Sequence, residues 1–374
     1  MTVNLAEPRR WFEAHAEEVH AALAAVISDG RYILGPQVAR FERVFAEAQG
    51  AAHAVAVASG TDALAVTLRA LDVAGGEVIT SAHTATATLA AIELAGAQPV
   101  LADVDPASRC LAPASVASLV GERTRAIVPV HLYGHPADMA PLLELAAGRG
   151  LPVVEDCAQA QGAFLDGRAV GTFGRAGAFS FYPTKNLGAL GDAGAVVTDD
   201  AALAARLREL RQYGWNGQRQ AQQAGTNSRM DELQAAILNL RLTGFASAME
   251  RRRAIAARYS RALTGHPCIS TPQQGPGALH AWHLYVVECD DRDGLEAHLA
   301  RAGIGTGVHY RTPAHEQPAY RALRRAGSLD GVERLTPRIL TLPCFPELTD
   351  AEVDRVIEAL LAFRPEAGAH DDES

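Results

Sequence analysis

Lysine is all but missing from this sequence: of its 34 Lys and Arg residues, only Lys185 is a lysine. Arginine serves a solvated surface well, but its guanidinium never loses its proton in a protein, and an amine that attacks a carbonyl must. Any chemistry that needs a lysine amine has one residue to use, so Lys185 is a candidate Schiff-base residue before any motif is read. Cysteine is also sparse. Cys110, Cys157, Cys268, Cys289 and Cys344 lie far apart with no C-x-x-C pair, which indicates neither a zinc ribbon nor a disulfide framework and fits reduced cytoplasmic thiols. No apolar run approaches the ~18 residues of a membrane span, and MTVNLAEPRRWFEAH has no apolar signal-like region. Positive charge is in deficit, with a net charge of -9, and a nucleic-acid partner would call for a basic face. The expectation is a cytoplasmic protein with no membrane or nucleic-acid partner that acts on small molecules.

What is present is core material. With 374 residues and 48% hydrophobic content, the chain can bury a large core and is long enough for two domains. From about residue 50 to 200, short apolar runs alternate with helix-like segments, the pattern of a parallel sheet covered by helices. Seven runs read as strands: 53–58, 77–80, 98–103, 126–132, 153–156, 178–181 and 193–198. TDALAVTLRAL, TATLAAIELAG and MAPLLELAAGRG read as helices between them. After residue 200 the signal turns helical through AALAARLRELRQYG, RMDELQAAILNLRL and a long Ala- and Arg-rich segment from about 245 to 263. HAWHLYVVE and GIGTGVHY then read as strands, DGLEAHLARAG as a helix, and TDAEVDRVIEALLAF as a last helix opened by Thr349 or Asp350. This gives an α/β fold: a large domain over 1–245 with a mainly parallel seven-stranded sheet, and a smaller α+β domain over 246–374. The acidic end PEAGAHDDES is expected to fray.

Three segments carry candidate chemistry. In AVAVASGTDALAVTL a strand ends at Ser59-Gly60-Thr61 and a helix begins at once; the helix N–H groups, its dipole and the two hydroxyls suit a phosphate, although alone this is an ordinary N-cap. LPVVEDCAQAQGA delivers Glu155 and Asp156 at the carboxyl end of a buried strand, where ligands bind in open α/β sheets. A carboxylate there can pair with the pyridinium nitrogen of pyridoxal phosphate (PLP), and Gln159 can reach the phenolic oxygen. In AGAFSFYPTKNLGALGDAGAVVT, Lys185 follows Ser180 by five residues between two strands; the amine can hold PLP and then act as base, while the Ser180 hydroxyl reaches the phosphate. His131 and His135 are four apart, but Gly and Pro in HLYGHP break any helix that would set them on one face as metal ligands.

The ordered series SGTDAL, EDCAQAQGA, SFYPTKNLGALGDAG, NSRMDELQAA, WHLYVV, GVHYRTPAH and TLPCFPELTD resembles the DegT/DnrJ/EryC1/StrS family of nucleotide-sugar aminotransferases over nearly the whole chain. The resemblance implies an aspartate-aminotransferase-like, fold-type I homodimer with active sites shared between subunits, PLP alternating with pyridoxamine phosphate (PMP), L-glutamate as donor and a keto-sugar nucleotide as acceptor. It assigns Lys185 the Schiff base, Asp156 the pyridinium partner, Gln159 the phenolic contact, and Gly60, Thr61 and Ser180, with Ser59 beside them, the phosphate. Asn227 would reach the neighbouring subunit's cofactor, and Tyr182, Arg229, His309 and Tyr310 would face the sugar. The NSRMDELQAA form resembles members that aminate carbon 3 more than those that aminate carbon 4; a keto-cyclitol acceptor, or a PLP-binding regulatory role, are the alternatives. One position departs. The family carries an aromatic ring over the cofactor where EVITSAHTATAT has Ala85, which leaves His83 as the stacking candidate.

Overall fold

The structure is a computed structural model that describes residues 2–365; most of the acidic C-terminal segment lies outside the described residues. Seven short strands form the main sheet: β1 (His53–Val57), β2 (Glu77–Ser81), β3 (Gln98–Ala102), β4 (Thr124–Val128), β5 (Val154–Asp156), β8 (Ala176–Ser180) and β9 (Gly194–Thr198). They pair as two ladders, β3-β2-β4 and β5-β8-β9-β1, rather than as one continuous ladder. Isolated parallel bridges, Ile127 with Val153 and Val130 with Asp156, join them across β4 and β5. All pairings are parallel except those of β9, which runs against both neighbours. These strands read as unbroken apolar runs because helices cover both faces.

Local chemistry places the helices. Ser59 caps Gly60–Ala70 by accepting from Asp62 N, Asp200 caps Ala201–Leu210, and Thr349 with Glu352 forms a capping box on Asp350–Ala362. Helix Pro36–Gln49 begins with Pro at its first turn, and its open N–H groups are satisfied from afar: the buried Glu232 carboxylate accepts from Gly35, Gln37 and Val38 at 2.8 to 2.9 Å.

The expected boundary at 245/246 falls one residue inside helix Phe245–Ala262, which Gly244 separates from helix Glu232–Thr243. Beyond it, β12 (Tyr285–Cys289) pairs with the two-residue β10 (Ile269–Ser270) and with β13 (Ile339–Leu342), and helices Arg292–Arg301 and Asp350–Ala362 pack against this unit. Val3 is buried in the same cluster, so the N-terminus closes over the C-terminal region. The two-residue strands β6 (Phe164–Leu165) and β7 (Arg168–Ala169) join β11 (Ala278–Leu279) in a small third ladder.

Three strand expectations are corrected. Run 126–132 stops at Val128, because Pro129 has no N–H for a ladder. HAWHLYVVE is a strand only from Tyr285, since Trp282 takes a positive φ of 48° and turns the chain. GIGTGVHY is no strand; Ile304 bridges to Val3 and Gly307 to Thr341 as isolated pairs, and the rest is irregular backbone.

Candidate active site

The sheet delivers its chemistry at the carboxyl ends of β1, β5 and β8. There Ser59, Gly60, Thr61, Asp156, Gln159, Ser180, Tyr182 and Lys185 line one cavity of about 260 Å³, with Thr84, Ala85 and Thr88 on its wall. Eight of the residues singled out by sequence therefore meet in one place. Gly60 sits hard against Ser180: a Cβ at position 60 would lie 2.4 Å from the Ser180 Cβ, so the two phosphate candidates approach only because residue 60 is glycine.

Strand alternation separates two neighbouring carboxylates. Glu155 turns away from the cavity, accepting from Gly171 N and Gly174 N at 2.7 Å and from His131 Nε2 at 2.9 Å. His131 Nδ1 accepts from Ala137 N at 2.9 Å, which assigns the proton to Nε2. Glu155, His131 and Cys157 bring their donor atoms within 4.8 Å of one another. The His and Glu atoms are already committed to protein partners, so the group reads as a buried hydrogen-bond network. Asp156 faces the cavity. Its Oδ2 accepts from the Thr88 hydroxyl at 2.9 Å and its Oδ1 from Ala158 N at 3.0 Å. Burial pushes its pKa up, against these bonds and the charges of Lys185 and His131.

Lys185 closes a turn with its N–H on Tyr182 O at 2.8 Å. Among the described residues nothing hydrogen-bonds or ion-pairs its Nζ. Desolvation pushes its pKa down to about 8, against the pull of Asp156, so the amine holds its proton loosely at neutral pH. Gln159 is oriented from both ends, accepting from Tyr133 N at 2.7 Å and donating to Tyr310 Oη at 3.0 Å.

Other expected residues stand outside the cavity wall. His83 is buried and held back, its Nε2 2.7 Å from Tyr133 Oη, because Tyr133 in turn donates to His309 O and so requires a donor from His83. Burial, then Arg109, pushes the His83 pKa down to about 3. Thr84 and Ala85 reach the cavity instead. Tyr310 meets the site through Gln159, and His309 lines a smaller neighbouring cavity. Asn227 is exposed and bridges to Gln212, and Arg229 lies over the Tyr213 ring at 5.7 Å; neither lines this chain's own cavity. Sequence reading missed Thr88 and Tyr133. Thr88 is the last residue of EVITSAHTATAT and faces Asp156 from helix Thr86–Leu94, three residues beyond Ala85; Tyr133 lies between the two histidines of HLYGHP.

An amine and a buried carboxylate facing one cavity, at the carboxyl edge of a mainly parallel sheet, define a fold-type I transferase of the PLP-dependent class. The chain belongs to the DegT/DnrJ/EryC1/StrS aminotransferase family, whose model matches residues 13–361. It is 46% identical over 351 residues, 93% of either chain, to a dTDP-3-amino-3,4,6-trideoxy-alpha-D-glucose transaminase of Streptomyces venezuelae. Among solved structures it is similar to S. venezuelae DesV in complex with a ketimine intermediate, with a TM-score of 0.93 and 45% identity over 96% of this chain and 98% of that one. It is also similar to NtdA of Bacillus subtilis with bound PMP, with a TM-score of 0.88 and 30% identity over 96% of this chain and 84% of that one. Among the described residues no helix is long and apolar enough to cross a membrane.

Proposed function

We propose that the protein transfers an amino group from L-glutamate to a 3-keto-6-deoxyhexose carried on a nucleotide, with PLP as cofactor. The observation that carries this reading is the pairing of Lys185 and Asp156 across one cavity, in a chain 46% identical to a transaminase named for a 3-amino sugar. The residues fit PLP. The Gly60 approach to Ser180 shapes a phosphate cradle, the desolvated Asp156 carboxylate lacks a cationic partner, and the free Lys185 amine faces the same space.

When bound, PLP takes up the electron pair released at the substrate carbon and carries the amino group as PMP. The chain's own residues do the rest. Lys185, loosely protonated, holds the aldehyde and then moves a proton at the substrate carbon. Asp156, its carboxylate fixed by Thr88 and Ala158 N, would accept from the ring nitrogen and keep it protonated. Gln159 has one amide N–H left for the phenolic oxygen once Tyr310 has taken the other. Ser59, Gly60, Thr61 and Ser180 cradle the phosphate at the start of helix Gly60–Ala70.

Tyr182, 52% exposed, lines the cavity and is placed to meet a sugar; Tyr310 would act from its bond to Gln159, and His309 from the smaller neighbouring cavity. Asn227 and Arg229 do not line this chain's own cavity; the reading assigns them to the site of a second copy, in a homodimer with shared active sites. The test is incubation of PLP-loaded protein with L-glutamate and a panel of 3-keto and 4-keto sugar nucleotides, followed by mass spectrometry. A 3-amino product with 2-oxoglutarate is the expected result; exclusive 4-amination would overturn the regiochemistry, and no amination of any acceptor would overturn the activity.

A further inference from the structure

Tyr133 stands in a backbone conformation that an ordinary side chain avoids. It follows β4 in the turn Leu132–Gly134, with φ 60° and ψ 1°, the left-handed region that favours glycine. A bulky residue stays there only where its surroundings hold it at several points. Here every polar atom of Tyr133 is engaged. Its carbonyl accepts from Leu284 N at 3.2 Å, and its N–H donates to Gln159 Oε1 at 2.7 Å. Its hydroxyl, on a buried ring, donates to His309 O, since a carbonyl oxygen only accepts. That hydroxyl therefore receives its second bond from His83 Nε2, 2.7 Å away. The Nδ1 of His83 is enclosed without a partner, so the imidazole serves Tyr133 alone. Gly134 completes the turn. A Cβ there would lie 3.0 Å from Gln159 O and 2.9 Å from Ala281 Cβ, so the turn rests directly on the Gln159 backbone.

This arrangement decides which end of the Gln159 amide meets Tyr310 and the cavity. The two ends of a glutamine amide have nearly the same shape, and only hydrogen bonds distinguish them. Tyr310 Oη, 3.0 Å from Gln159 Nε2, does not choose between them, because a hydroxyl both donates and accepts. The Tyr133 N–H can only donate and so selects the oxygen, which leaves Nε2 with one N–H beyond the one that Tyr310 takes. If the turn at Tyr133 relaxed, the amide would be free to reverse and set its oxygen against the cofactor's phenolic oxygen, two acceptors with no proton between them.

We propose that Tyr133, held by His83 and His309, is a positioning residue that fixes the Gln159 amide with an N–H towards the cofactor's phenolic oxygen. The inference rests on the aminotransferase reading, with PLP as cofactor, and adds to it what aims the phenolic contact. A donor to that oxygen stabilises its negative charge and weakens its hold on the proton of the nitrogen joining Lys185 to the cofactor, so that proton leaves at a lower pH. The experiment titrates the visible absorption of PLP-loaded protein with pH, without substrate, in wild type, Tyr133→Phe, Gln159→Leu and the double variant. Gln159→Leu is expected to raise the midpoint by about one pH unit and Tyr133→Phe by about half a unit, with the double variant no higher than Gln159→Leu alone. His83→Leu, which removes only the donor to the Tyr133 hydroxyl, is expected to shift it in the same direction and carries the test if Tyr133→Phe does not fold. An unchanged or lowered midpoint in folded, coloured Tyr133→Phe, or in His83→Leu where it stands in, overturns the role and leaves the aminotransferase reading standing. So do shifts that add in the double variant, which would mark a general loosening that bypasses Gln159. A wild type that takes up no PLP and stays colourless overturns the reading, and this role with it.

Discussion

Lys185 is the only lysine, which makes its titration separately visible. Reductive ¹³C-methylation of the cofactor-free protein should give one ε-amine resonance, with a pKa near 8 rather than its ordinary value of 10.5. The same depression acts on stability. Between about pH 8 and 10.5 the unfolded chain holds this proton and the folded chain does not, so the Lys185 contribution rises with pH across that window. Lys185→Met should remove that rise; a midpoint of unfolding with the same pH slope in both proteins would contradict the buried-amine account. At Asp156, Asn keeps the size and the Thr88 contact but loses the charge that holds the ring nitrogen protonated. Stopped-flow of the glutamate half-reaction should slow by about 10²-fold, with the thermal midpoint little changed. The residues legible in the sequence were those whose chemistry is unusual for their setting, a lone lysine and an acid at a strand end. Tyr133 and Thr88 were not legible, because each acts through a partner far along the chain, as Tyr133 does with His309.

At the scale of elements, the strands were readable where burial on both faces produced short apolar runs, as in β2 and β9. Reading failed where a run continued past a backbone that could not. Pro129 ended β4, Trp282 turned the chain before β12, and the glycines around residue 305 left Gly307 with a single bridge. The helix Pro36–Gln49 depends on a distant residue in a way no local pattern discloses. Glu232 supplies the acceptors for three N–H groups at its start. Glu232→Ala should cost about 3 kcal/mol and Glu232→Gln, which keeps one acceptor, about 1 kcal/mol, by urea unfolding. Equal stabilities would show that water replaces the carboxylate without loss.

At the scale of the molecule, exposed apolar side chains gather on segments beside the cavity: Tyr182 at 52%, Leu190 at 51%, Tyr213 at 39% and Leu233 at 39%. A second copy covering this face would also bring in Asn227 and Arg229. Light scattering should therefore give twice the chain mass. Mixing inactive Lys185→Ala with inactive Asn227→Asp should restore up to about a quarter of wild-type activity per site, because half of the mixed dimers' sites are intact under random exchange. No recovery after confirmed subunit exchange would place Asn227 outside its neighbour's site.

The most direct test of the central claim is the absorption spectrum of PLP-incubated protein, wild type beside Lys185→Ala, before and after L-glutamate. The wild type should show a visible band that glutamate bleaches, and the variant a band that is altered and no longer cycles. A wild-type protein that stays colourless with PLP, or a Lys185→Ala variant that bleaches and recovers like the wild type, would contradict it.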